Sequence, residues 1–204
     1  MKNLRLGFLV SGGGSNMQVI IDACKDGSLK AECCVIIGNN SKSKALKRGK
    51  AAGIPTAHLS TKTHLCDQEL DIAITRKLEE YGVNLVILAG YMKLLGPTTV
   101  TKFRNRILNI HPALLPRFSG KGFYGKNIHK AVLSSKETFT GVTIHIVDEQ
   151  YDHGPIIAQR KIAIMKEDTL ESLEKRVLLQ EHELYVETLQ QIASGEINLG
   201  SNTL

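Results

Sequence analysis

Tryptophan is absent from the 204-residue chain, and aromatic residues make up only 5% of it. That leaves little material for the stacking platforms that grip single-stranded nucleic acid. Cysteine is scarce too, and Cys24, Cys33, Cys34 and Cys66 show neither CxxC spacing nor the density of a secreted disulfide scaffold. They read as reduced and mostly structural. No run approaches the roughly 18 consecutive apolar residues of a membrane span, and "MKNLRLGFLV" opens into glycines without the h-region and cleavage site of a signal peptide. A soluble, cytoplasmic protein is the expectation. The charge balance leans basic, 26 Lys and Arg against 20 Asp and Glu, which favours anionic ligands. The basic residues are dispersed, and the densest run, "KSKALKRGK" at 42–50, reads as a solvated helix face. Neither nucleic acid nor a membrane is expected as a partner.

What is present is an alternation of short apolar runs with helical patterns. Strand-like runs fall at 4–10, 32–38, 56–60, 84–90 and 106–110, separated by helical segments at 15–26, 43–51 and 67–80. Runs of Val, Ile and Leu without polar alternation suit strands buried on both faces of a parallel sheet. Later come a helix near 126–134, two adjacent strands at 140–148 and 154–164, and a final helix starting at Asp168, where "DTLE" offers a capping box. The expected fold is α/β: a Rossmann-like open, mostly parallel sheet with helices on both faces and an antiparallel strand late in the chain. No repeat or linker divides it, so one domain is expected over 1–204.

Four stretches carry candidate chemistry. "VSGGGSN" places glycines between a strand and a helix start, where free amide N–H groups and the helix dipole favour an anion. A dinucleotide is a poor fit, because Met17 stands where a third glycine belongs and "IIGNNSK" ends the second strand without an acidic residue. A GK[ST] ending is also missing, so Gly14, Ser15 and Asn16 are expected to hold a simple phosphate, or to form an ordinary capped turn. In "RILNIHPALLPRFSG", Asn109 and His111 lie two apart on an extended segment and so aim an amide and an imidazole at one point, just before Pro112 ends the strand. "LAGYMKLLGP" releases a strand into an apolar stretch that either lines a crevice or packs under the next helix. Asp152 in "DEQYDHGP" either orients a histidine or decorates a surface turn. On the last helix, Glu181 falls on the stripe of Leu170, Leu173, Val177 and Leu184, and an inward carboxylate needs a structural partner or a ligand's ammonium. His145, mid-strand, reads as a satisfied sheet histidine, and His129, His153 and His182 show no ligand spacing, so no metal is assigned.

Taken in order, "VSGGGSN", "LAGYMKLL", "NIHPALLPRFSGKGFYG", Asp152 followed by "HGPII", and "QEHELY" resemble the glycinamide ribonucleotide branch of the folate-dependent formyltransferases, from about residue 4 to residue 198. The resemblance implies Asn109, His111 and Asp152 as the catalytic set, with His111 charged. It implies Gly14, Ser15 and Asn16 on the ribotide phosphate, Glu181 on the ribotide, and Met92, Lys93, Leu94 and Leu95 around the folate's pterin. An N-terminal half, about 1–100, would bind phosphate and ribotide, and a C-terminal half, about 85–198, would bind folate and do the chemistry. The partners implied are glycinamide ribonucleotide and 10-formyltetrahydrofolate, the latter a co-substrate with no tightly bound cofactor, in a monomer or homodimer. Two departures stand out: "CDQELD" lacks the arginine that some members place on the phosphate, and "GKGFYG" is longer than in some relatives. A catalytically silent phosphate- or folate-binding module is the competing class.

Overall fold

The computed structural model describes residues 3–200. Its elements are β1 (Leu4–Val10), α1 (Ser15–Asp26), β2 (Ala31–Gly38), α2 (Lys44–Ala51), β3 (Thr56–His58), α3 (Asp67–Glu80), β4 (Leu85–Leu88), α4 (Pro97–Lys102), β5 (Ile107–His111), α5 (Lys126–Ser134), β6 (Phe139–Ile146), β7 (Ile156–Ala163) and α6 (Leu170–Ser194). The strands form one sheet in the order β3-β2-β1-β4-β5-β6-β7. The first five pair parallel, and β6 is antiparallel to both β5 and β7, so a single strand runs against the rest. The outermost positions of the expected domain, 1–2 and 201–204, lie outside the described residues.

Strand order reverses between β1 and β4, which leaves the loops after these two strands beside a crevice, the usual ligand position in open α/β sheets. The loops are tied together: Ser11 N–H donates to Gly90 O at 3.1 Å and Met92 N–H to Ser11 Oγ at 2.9 Å. One face of the sheet buries Met17, Ile20 and Ile21 of α1, Ile128 and Val132 of α5, and Leu173, Val177 and Leu189 of α6; the other buries Ile74 and Leu78 of α3 with Val100 and Phe103 of α4. Each such side chain contributes about 1.5–3 kcal/mol relative to exposure. No helix of the described residues is long and apolar enough to cross a membrane.

Two details differ from expectation. The last helix begins at Leu170 with Thr169 as N-cap, its side chain accepting from Ser172 N–H while the Ser172 side chain accepts from Thr169 N–H. Asp168 lies one residue too early to cap and instead pairs with Arg176. The second is α4, six residues long and too short to show a helical period. Its start is held from outside: Asp71 of α3, 4% exposed, accepts from Thr98 N–H at 2.7 Å and Thr99 N–H at 3.1 Å.

Candidate active site

The turn after β1 builds the first part. Gly14 is the N-cap of α1 at φ 69°, and a side chain there would also lie 2.7 Å from Ala45 Cβ of α2, so both backbone and space demand glycine. The first amide known to bond back along the helix is Gln18 N–H, to Gly14 O. The N–H groups of Ser15 and Asn16 therefore remain at the positive end of α1. Ser11, Gly12, Gly13, Gly14, Ser15 and Asn16 line a cleft of 320 Å³. Asn16 adds its side chain elsewhere: Nδ2 donates to Glu181 Oε2 at 2.9 Å, and Oδ1 is buried without a partner.

A larger cleft of 580 Å³ adjoins it, and the two share Asn16, Gly90, Met92, Leu178 and Glu181. Asn109 and His111 both line it, as alternation on β5 requires. The loop between β6 and β7 turns back over them and brings Asp152 Oδ1 to 3.5 Å from His111 Nδ1. Asp152 stands at φ 54°, a left-handed conformation uncommon for a residue with a Cβ and concentrated at functional sites. Its other oxygen accepts from Gly120 N–H at 3.1 Å. Burial pushes the Asp152 carboxyl up, but the two histidine rings beside it and the Gly120 N–H outweigh it, so the net shift is downward and the group is a carboxylate.

His145 corrects the sequence reading. It is buried, but it belongs to the site: β6 pairs it with Asn109 across the ladder, its Nε2 is 3.1 Å from Asn109 Nδ2, and Asp152 Oδ1 lies 3.7 Å away. Its Nδ1–H donates to Ile146 O at 2.9 Å, which leaves Nε2 to accept from the Asn109 amide. One Asn109 N–H is thereby committed and the other is free. His111 also differs from expectation. Its Nε2–H donates to Phe118 O at 2.8 Å, leaving Nδ1 facing Asp152. Burial, joined by the neighbouring His145, lowers the ring's pKa against the opposing pull of Asp152 and the Phe118 carbonyl, which favours the neutral ring in the free protein over the charged one expected.

The far wall belongs to α6. Glu181, 8% exposed, has its carboxyl pushed up to about 7 by burial, opposed by the Asn16 bond. One turn on, the buried Tyr185 hydroxyl lies 3.2 Å from Leu88 O and 3.0 Å from Leu108 O, pinning α6 to β4 and β5. Of the segment after β4, Met92, Lys93 and Leu94 are exposed along the cleft, and Leu95 lines it as a buried side chain that also packs into the core. Thr143 was not singled out in the sequence; it donates to Ala113 O at 2.7 Å and accepts from Leu115 N–H at 3.1 Å, fixing the chain beyond His111. No group of three or more His, Cys, Asp or Glu among the described residues is arranged to hold a metal ion.

A doubly wound α/β sheet with a glycine turn and helix N-terminus at its switch point, beside a buried amide, imidazole and carboxylate, defines a class of protein suited to group transfer. The chain belongs to the formyl transferase family, which it matches over residues 4–189. It is 43% identical over 194 residues to the chloroplastic phosphoribosylglycinamide formyltransferase of Arabidopsis thaliana, covering 95% of this chain and 66% of that protein. With the phosphoribosylglycinamide formyltransferase of Haemophilus influenzae it shares 36% identity, over 97% of this chain and 91% of the other. The crystal structure of glycinamide ribonucleotide transformylase 1 from Symbiobacterium toebii superposes with a TM-score of 0.90 at 36% identity, covering 98% of this chain and 92% of that one. Against the plant and animal relatives the chain spans 66% or less of their length.

Proposed function

We propose that this chain transfers the formyl group of 10-formyltetrahydrofolate to the amino group of glycinamide ribonucleotide, the activity its relatives are named for. The observation that carries the reading is the joining of the two clefts, one an anion turn and the other holding Asn109, His111 and Asp152, through the shared Asn16 and Glu181. A phosphorylated amine bound across that junction reaches from phosphate site to reacting centre. Gly14, Ser15 and Asn16 hold the phosphate through backbone N–H groups, Glu181 contacts the ribotide, and Met92, Lys93, Leu94 and Leu95 flank the pterin. The folate is a co-substrate.

The amine attacks the formyl carbon, a C–N bond forms, and the carbonyl electrons move onto oxygen. The free Asn109 N–H stabilises that oxyanion, an effect worth about 3–4 kcal/mol for a well-placed donor. A proton lost by the amine passes through Asp152 to Nδ1 of the neutral His111, whose ring then stabilises the oxyanion as a cation. Collapse breaks the bond to the folate nitrogen, which takes that proton. Holding the two substrates in reacting geometry lowers the barrier further.

The test mixes purified protein, 10-formyltetrahydrofolate and glycinamide ribonucleotide and follows formylated ribotide. Product is expected, and Asn109→Ala and Asp152→Asn should each lower kcat by about 100-fold or more with little change in ribotide affinity. Formate release without formylated ribotide would assign a hydrolase instead, and binding without any turnover would favour the silent module.

A further inference from the structure

The densest basic run of the sequence, 42–50, carries α2, and its lysines Lys42, Lys44, Lys47 and Lys50 are exposed, as a solvated helix face requires. Arg48 departs from that pattern. Its Nε–H donates to Gly13 O at 3.1 Å and its Nη1–H to Gln18 Oε1 at 3.3 Å, so the guanidinium bridges the glycine turn and α1. The preceding carbonyl is taken by the same helix, Ala45 N–H donating to Gly12 O at 3.1 Å. Two successive carbonyls of the turn are therefore drawn toward α2.

A trans peptide points its C=O and its N–H in opposite directions. With Gly12 O and Gly13 O held by α2, the N–H groups of Gly13 and Gly14 face away from that helix. The 320 Å³ cleft lies on that side: among the described residues its lining comes from the turn and the start of α1, the segment after β4, and α6, with nothing from α2. Packing does not set these peptides, because a Cβ built at Gly12 or Gly13 would meet nothing within 4 Å. Hydrogen bonds must do it, since glycine is free to turn. A cationic donor on Gly13 O also polarises the peptide and makes the Gly14 N–H a stronger donor. We propose that Arg48 is a positioning residue for the anion turn: by holding Gly13 O it aims the Gly14 N–H, beside those of Ser15 and Asn16, at the substrate's phosphate without touching the ligand itself. The proposal rests on the ribotide reading above for the owner of that phosphate.

Calorimetry of wild type and Arg48→Met with glycinamide ribonucleotide, its dephosphorylated riboside and inorganic phosphate tests it. The variant should lose about 10-fold in affinity for the ribotide and for inorganic phosphate, and keep its affinity for the riboside. Its KM for the ribotide should rise by a similar factor, while KM for 10-formyltetrahydrofolate holds and kcat falls far less. The ratio between wild type and variant should persist at about 1 M salt, where the screening length is about 3 Å and a distant charge no longer acts. In amide NMR spectra, phosphate should shift the Gly14 N–H strongly in wild type and weakly in the variant. Unchanged phosphate affinity, equal loss for ribotide and riboside, or a ratio that falls to one in high salt each overturns the proposal. If wild type binds inorganic phosphate and the variant loses it, but wild type formylates no ribotide, the transfer reading falls and this assignment stands. If wild type formylates ribotide and the variant matches it throughout, only this assignment falls.

Discussion

Glu181 is the residue whose charge state most separates stability from function. Its carboxyl, ordinarily near 4.5, is pushed up to about 7 by burial, so the folded protein binds a proton there that the unfolded chain releases. The stability this supplies is complete below about pH 4.5 and is lost as pH rises through 7. Glu181→Gln, which can still accept from Asn16, should therefore be more stable than wild type at pH 8, by on the order of 2–3 kcal/mol, and nearly equal to it at pH 4.5. Urea unfolding at the two pH values checks this, and equal destabilisation at both would contradict it. Ribotide binding should weaken in the same variant. The sequence marked Glu181 because a carboxylate on an apolar stripe stands out against helical spacing, and it marked Asn109 and His111 because strand alternation aims both one way. His145 was illegible for a matching reason: its tie to Asn109 depends on the register of two antiparallel strands 36 residues apart, which no local pattern encodes.

At the scale of elements, α4 shows how a neighbour replaces local signal. Its N-terminal amides are capped from α3 by Asp71, whose hydroxyl partner is Thr99 Oγ1 at 2.5 Å, and a Cβ at Gly96 would lie 2.3 Å from the Asp71 carboxyl. The packing leaves no room between the two segments. Asp71→Ala should cost about 2–3 kcal/mol in urea unfolding, because buried amides lose a charged acceptor. Segment 91–96 leads directly into α4, so the KM for 10-formyltetrahydrofolate should rise in this variant more than the KM for ribotide. An unchanged midpoint would show that water replaces the carboxylate. Long elements with continuous apolar faces, such as α1 and α3, were readable to their ends; α4 was not, since six residues held by a distant aspartate carry no period of their own.

Across the whole molecule, the open and mostly parallel sheet followed from chain alternation, and the one reversed strand from the closeness of two strand runs late in the sequence, whereas the order of the strands was not legible. The junction of the two clefts did not. It depends on Asn16 meeting Glu181, 165 residues further along, and on Tyr185 reaching the carbonyls of Leu88 and Leu108. Removing α6 should leave a chain that neither binds ribotide nor shows a cooperative unfolding transition, because Leu173, Val177, Tyr185 and Leu189 are fully buried. A fragment ending at Asp168 that retained ribotide affinity in calorimetry would refute this. The bond between Asn16 and Glu181 also imposes an order on synthesis. During translation the phosphate turn emerges 165 residues ahead of its partner, so a nascent chain that stops before α6 cannot form the joined cleft.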